Sequence, residues 1–356
     1  MAALQWDLFC RVIDNFGDVG VSWRLAAALA RRGQTVRLWI DAPQALDWMA
    51  PQGAPGVEVI LWPDAPTARI PGDVVVETFG CDPPDDFVAR MAAAARRPVW
   101  INLEYLSAEA YVERSHGLPS PQFSGPGAGL TKWFFYPGFT ATTGGLLHEV
   151  DASPQAQTQA RAWAQERGWA GGGGEQAVLV FCYTNPALPD LLRALAGQPT
   201  LLLLPPGAAR AQVLALALPA GLRTVALPWL AQPDFDRLLA STDLNLVRGE
   251  DSFVRAQLAA ASPLLWQIYP QHDGAHAAKL DAFLDRYLAG SPAPLAQAVG
   301  DAFRAFNGVP AGRKPGTFAL PERGSWQQLH AGWRARLLAQ EDLCSRLQRF
   351  VTASLA

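Results

Sequence analysis

The chain has 356 residues, half of them hydrophobic and 17% charged, with a formal net charge of −3. That composition excludes a disordered chain and predicts a well-packed soluble protein with room for two domains, while the near-neutral balance argues against a nucleic-acid partner, which would favour a basic stripe. No basic region precedes an apolar stretch at the N-terminus, and the greasiest window, 201–218, is broken by Pro205, Pro206 and Arg210, so neither a secretory signal nor a membrane span is expected and the cytoplasm is the expected compartment.

Strand patterns fall at 8–13, 35–40, 57–61, 74–77 and 99–102, and helical patterns at 19–32, 43–48 and 85–95. Gly33 follows the first helix as a C-cap. The alternation predicts a mainly parallel sheet wrapped by helices. Residues 103–148, with several Gly, Ser and Thr around Trp133-Phe134-Phe135-Tyr136, read as long ordered loops. A helix over 154–168 then meets four consecutive glycines, Gly171 to Gly174, which have no side chains to pack and read as a surface connection. A second series follows, with strands at 177–182, 200–204, 223–227, 244–247 and 264–268 and helices at 188–195, 235–240, 252–261 and 276–287. The tail, 294–306 and 325–356, is helical. The expected organisation is two Rossmann-like domains facing a cleft: a first domain at 1–153, a helix and Gly-rich linker at 154–175, a second domain at 176–335, and a last helix at 336–356 packing back on the first domain.

The first strand runs into Asp14-Asn15-Phe16-Gly17-Asp18-Val19-Gly20, a glycine turn that opens a helix. Nucleotide-binding folds use this order for phosphate, yet two acids beside a phosphate would repel it. One acid could cap the helix; two, four residues apart, exceed that need and point to chemistry.

In the second half, Arg248-Gly249-Glu250-Asp251-Ser252 joins a strand to an amphipathic helix. Unpaired N–H groups at a helix start attract anions, and Arg248 adds a planar cation suited to a diphosphate. Glu250 is better suited to sugar hydroxyls. This segment alone fits a helix capped by Asp251 and Ser252 as well as it fits a diphosphate site. Phe181, Tyr183 and Trp229 are candidate stacking surfaces for a base, and Gln232 could read base edges. His272 and His276 have helical metal spacing, but Gly274 between them starts the helix and separates their faces. Asp234-Phe235-Asp236 matches a metal-binding acid pair, though acids in a first helical turn also serve the helix dipole. Cys10, Cys81, Cys182 and Cys344 lack metal spacing and read as buried free thiols.

The stretches 11–20, 101–109, 116–121, 144–147, 248–257 and 268–271 together resemble the bacterial protein-arginine rhamnosyltransferases that modify translation elongation factor P, the EarP family. The resemblance implies a GT-B glycosyltransferase that moves L-rhamnose from dTDP-β-L-rhamnose to an arginine of elongation factor P, inverting the anomeric centre without a metal or other cofactor and activating the factor for translation of polyproline stretches. It implies that Asp14, Asp18 and Glu250 are essential. It places the donor on Asn15, Phe16, Gly17, Phe181, Tyr183, Trp229, Gln232, Arg248, Glu250, Asp251, Ser252, Tyr269 and Gln271. Trp229 departs from the phenylalanine expected there; either ring could stack on thymine. The competing readings are a GT-B enzyme with a small-molecule acceptor, a nucleotide-sugar binding protein without turnover, and a nicotinamide oxidoreductase in which Asp41 would hold a ribose.

Overall fold

Alternating strands and helices build two parallel sheets. The computed structural model describes residues 3–13, 16–62, 69–149, 153–269, 275–309 and 318–355. Asp14, Asn15, Gln271 and His272 lie outside the described residues. The chain divides into two compact units, Met1–Glu149 with Gln340–Ala356, and Val150–Ala339.

The first unit holds β1 (Gln5–Cys10), α1 (Gly17–Arg31), β2 (Thr35–Ile40), a 3-10 turn at Pro43–Ala45, α2 (Leu46–Met49), β3 (Val57–Leu61), β4 (Val74–Thr78), α3 (Asp85–Ala93), β5 (Val99–Leu103), α4 (Ala110–Ser115), β6 (Pro119–Pro121) and β7 (Thr131–Phe135). These strands form one sheet in the order β3-β2-β1-β4-β5-β7-β6, parallel except for β6 against β7. The near-continuous apolar runs of the central strands β1, β4 and β5 reflect burial on both faces. Trp6, Leu8 and Cys10 of β1 pack on the α1 side, whereas Phe9 packs on the other with Trp39, Phe87 and Trp100. One buried acid breaks the apolar pattern. Asp7 accepts from Arg37 Nε at 2.6 Å, Arg37 Nη2 at 2.7 Å, Trp39 Nε1 at 2.8 Å and the Gly72 N–H at 2.7 Å, so the carboxylate is paired and hydrogen-bonded.

Two expectations are corrected here. The first strand stops at Cys10 rather than 13, because its ladder with β2 ends at the Cys10–Ile40 pair and the Val12 N–H turns to the Asp41 carboxylate at 2.9 Å. The segment 103–148 is not all loop: β7 adds in parallel to β5, and its Trp133-Phe134-Phe135 run supplies the strand signal.

The second unit holds α5 (Pro154–Glu166), β8 (Gln176–Val180), α6 (Leu188–Leu195), β9 (Thr200–Leu204), α7 (Ala208–Leu214), β10 (Leu222–Ala226), α8 (Gln232–Ser241), β11 (Leu244–Arg248), α9 (Asp251–Ala259), β12 (Leu264–Gln267), α10 (Ala275–Tyr287), α11 (Ala293–Phe306) and α12 (Arg323–Leu338). Its sheet runs β10-β9-β8-β11-β12, all parallel. The helix expected as part of a linker, α5, packs on α8 and belongs to this unit. The sequence reading missed α7, a short helix that starts after Gly207 inside the apolar window.

The helical tail is two helices. α12 stays in the second unit, while α13 (Leu343–Leu355) belongs to the first, where Leu343, Cys344, Leu347 and Val351 complete the core beneath α1. The break is built at Asp342, which accepts from the Ser345 N–H at 3.1 Å and hydroxyl at 2.6 Å. Arg32, at the end of α1, joins Glu149 at 2.7 Å to Asp342 at 2.9 Å and so ties together both places where the chain passes between units.

Candidate active site

Open parallel sheets bind ligands at the carboxyl ends of their strands, where strand order reverses. In the first unit that point lies between β1 and β4, and in the second between β8 and β11. The loops leaving β1, β8 and β11 carry most of the residues singled out from sequence.

After β1, Arg11 lies over the Trp62 ring at 5.3 Å, and Asp18 sits in the first turn of α1, only 2% exposed. The Ile13 N–H donates to Asp18 Oδ2 at 2.8 Å, closing the loop onto the helix start, where the helix dipole favours a carboxylate. Phe16 packs edge-on against Trp48 at 5.3 Å, and the Gly20 N–H donates to the Phe16 carbonyl at 2.9 Å. No side chain of the N-cap residue, Phe16, caps α1. Cys10, at the strand end, is pushed up to about 12 by burial, so its thiol stays protonated and inert as a nucleophile. Asp41, the candidate ribose partner of a nicotinamide enzyme, instead holds the loop through Val12.

In the second unit, β8 delivers Phe181 and Tyr183, and β11 delivers Arg248. The guanidinium carbon of Arg248 lies 4.7 Å from the centroid of each ring. Phe181 packs against Phe235 of α8 at 5.2 Å, and Tyr183 meets Tyr269 edge-on at 5.5 Å. Trp229 and Tyr269 are 43% and 53% exposed, whereas Gln232 is buried at the start of α8.

The turn from β11 to α9 differs from a capped helix. Glu250, not Ser252, occupies the N-cap, and its side chain makes no capping bond. The Ser252 hydroxyl folds back on Arg248, accepting from its N–H at 3.1 Å and donating to its carbonyl at 2.5 Å. Gly249 takes φ of +60°, a left-handed conformation that suits glycine, and the Trp266 indole N–H fixes its carbonyl at 2.7 Å. Asp251 is the first helical residue. Ser252 therefore positions the Arg248 backbone, and the reading of Asp251 and Ser252 as caps is corrected: both stand inside α9, and the N-cap residue is Glu250.

The acid pair of α8 is engaged by arginines. Asp236 accepts from buried Arg255 at 3.1 and 2.8 Å, which joins α8 to α9, and Asp234 pairs with Arg237 at 3.0 Å. Among the described residues, no group of three or more His, Cys, Asp or Glu could hold a metal ion. The sequence reading missed Phe235 as the ring that buttresses Phe181; its place between two acids drew attention to them instead.

The sequence matches the family described as the elongation factor P (EF-P) rhamnosyltransferase EarP over residues 6–352. The chain belongs to the EarP family. A protein-arginine rhamnosyltransferase of Pseudomonas aeruginosa is 44% identical over 379 residues, covering 97% of this chain and 98% of the relative. One of Pseudomonas putida is 43% identical over 381 residues, covering 98% and 99%. A solved chain described as the structural basis for EarP-mediated arginine glycosylation of translation elongation factor EF-P superposes with a TM-score of 0.64 at 30% identity, covering 99% of this chain and 100% of that one. The spinosyn forosaminyltransferase SpnP, at 13% identity and a TM-score of 0.53 over 99% of this chain and all of that one, shares the fold alone. The fold is GT-B and the protein is a glycosyltransferase, as expected from the sequence. Among the described residues, no helix is long and apolar enough to cross a membrane.

Proposed function

We propose that this enzyme transfers L-rhamnose from dTDP-β-L-rhamnose to an arginine side chain of translation elongation factor P, by a single inverting displacement without a metal or other cofactor, and thereby activates the factor for translation of polyproline stretches in the cytoplasm. The observation that carries the reading is Arg248, held over Phe181 and Tyr183 beside the first turn of α9. A guanidinium and helix N–H groups offer donors and positive potential to a departing diphosphate, the part a metal plays in other transferases.

Phe181, Tyr183, Trp229, Gln232 and Tyr269 supply rings and an amide for the nucleotide, with Asn15, Phe16, Gly17 and Gln271 completing the donor set. Glu250 and Asp251 are suited to accept from sugar hydroxyls. The acceptor poses the harder problem. A guanidinium is protonated at neutral pH, and a neighbouring carboxylate favours that charged form further. Proton loss therefore accompanies attack, when the new bond to carbon acidifies the nitrogen. Asp18, fixed by the Ile13 N–H, takes that proton as general base. Asp14 holds another N–H edge of the planar group. Positioned proton transfer contributes about 10²–10⁴-fold, and orientation and leaving-group stabilisation supply the rest. Displacement on a β donor leaves an α-rhamnosyl arginine.

The test is the intact mass of elongation factor P after incubation with this enzyme and dTDP-rhamnose. One added deoxyhexose, localised to arginine by fragmentation, is expected. An unchanged mass with a folded, donor-binding enzyme and a competent acceptor would overturn the reading.

A further inference from the structure

The carboxyl end of the first sheet carries a second polar group that the mechanism above does not use. Glu104 is the first residue past β5, and its N–H donates to the Phe135 carbonyl at the end of β7 at 3.0 Å. Its half-buried carboxylate accepts from Asn102 Nδ2 at 2.8 Å, while Asn102 Oδ1 accepts from the Gly80 N–H at 3.1 Å. One amide thus locks Glu104 to the loop after β4. That loop holds Phe79 at φ of +60°, an uncommon conformation for a non-glycine residue, and stacks its ring on Tyr105 at 4.2 Å and 11°. Tyr111 and Tyr136 meet edge-on at 5.8 Å.

These groups feel one another. Burial raises the Glu104 carboxyl above its ordinary value, and the Asn102 bond and Lys132 charge offset only part of that. Burial, Glu109 and Glu104 raise the Tyr111 phenol; burial and Glu104 push Tyr136 up to about 12. A carboxylate in such surroundings is relieved by a cation. Phenol rings select an organic cation, which their faces attract, and no metal-binding cluster exists among the described residues. β5 lies two strands along the sheet from β1, so this site is roughly 10 Å from the Asp18 loop at ordinary strand spacing. An extended acceptor segment covers that distance in about three residues.

We propose that Glu104, bonded through its N–H to the Phe135 carbonyl that leads into Tyr136, is an acceptor-recognition residue that binds a second cationic side chain, lysine or arginine, about three residues from the arginine that is modified. The inference rests on the protein-acceptor reading above. Glu104→Gln keeps an oxygen for the Asn102 amide but removes the charge. It should raise KM for folded elongation factor P about 10-fold, the scale of one charge-assisted hydrogen bond, with kcat within about twofold. Donor affinity by calorimetry and the melting temperature should be unchanged. In a second arm, each lysine and arginine of the acceptor within about five residues of the target is changed to glutamine. One of these changes should raise KM for the wild-type enzyme equally and add nothing to Glu104→Gln, which identifies the cation. A KM unmoved by Glu104→Gln, a loss confined to kcat, donor binding or folding, or additivity with every acceptor change would each overturn the proposal. If the wild-type enzyme leaves the acceptor unmodified, the functional reading falls as well; modification with unchanged KM removes this inference alone.

Discussion

Replacing Arg248 by methionine separates the two things its guanidinium can do. The side chain lies 4.7 Å from the centroids of both Phe181 and Tyr183. Each cation–π contact at a partly exposed site is worth about 0.5–1 kcal/mol, so both together hold about 1–2 kcal/mol. Methionine keeps the unbranched stem and a sulfur–aromatic contact of about 0.3–1.5 kcal/mol, which leaves a net stability loss of about 0.6 kcal/mol. That corresponds to a shift of about 1–2 °C in melting temperature for a domain of this size. The catalytic loss is set by a different quantity. A preorganised donor aimed at developing negative charge is worth about 2.7–4 kcal/mol, or about 10²–10³-fold in kcat. Arg248→Met should therefore nearly abolish turnover of dTDP-rhamnose with elongation factor P while barely changing the melt, and Arg248→Lys should recover part of the rate through charge alone. The assay is the initial rate of acceptor mass gain at saturating donor, with calorimetry for donor affinity. If Arg248→Met turns over within threefold of wild type, the guanidinium does no more than pack two rings and the diphosphate assignment is refuted.

Asp18→Asn should lower kcat by about 10²–10⁴-fold while donor affinity holds, because the amide can still accept from Ile13 but cannot take a proton; normal turnover in single-turnover mass spectrometry would remove it as the base. Asp7→Ala strands Arg37 in a nearly closed site and should cost about 3–5 kcal/mol, read as a lower midpoint in urea; a change under 1 kcal/mol would contradict the burial argument. His330, fully buried beside the Tyr287 hydroxyl at 3.1 Å, is held down to about 4 first by burial and then by Arg334. The fold keeps the imidazole neutral to lower pH than the unfolded chain does, so the unfolded chain takes up the proton first as pH falls. The His330 contribution to stability is complete above about pH 6.5 and falls by about 3 kcal/mol as pH drops toward 4. His330→Gln should flatten that part of the stability–pH curve measured in urea; an unchanged slope would place the titration elsewhere.

The fold was largely legible because parallel strands buried on both faces announce themselves as short apolar runs between turn residues. The 200–204 pattern coincides with the fully buried β9, and the 35–40 and 57–61 patterns coincide with β2 and the more exposed edge strand β3. Errors fell where tertiary partners decide. The apolar run after Cys10 looked like more strand, but no neighbour strand continues beyond Ile40 to pair with it. β7 was hidden among glycines, since its partner β5 lies about thirty residues earlier and sequence pattern is local. For the site, residue types at strand ends marked Arg248, Phe181 and Tyr183, but pattern could not separate a capping serine from one that braces Arg248. That distinction depends on which atoms its hydroxyl reaches. Likewise, spacing presented Asp236 as a metal ligand, and only the fold brings Arg255 to it from nineteen residues away. The left-handed backbone at Phe79 has no sequence signature at all, because phenylalanine there reads as strand.

The return of α13 to the first unit has a consequence for biosynthesis. The residues that seal the core beneath α1 follow the whole of the second unit in the chain. At about 5–20 residues per second, a ribosome takes roughly 10–40 s between releasing the first sheet and supplying the helix that covers it. Through that interval the first sheet lacks the part of its α1-side core that α13 supplies, while the second unit can close as one continuous piece. The first unit therefore completes its folding after the second, although its sheet is made earlier.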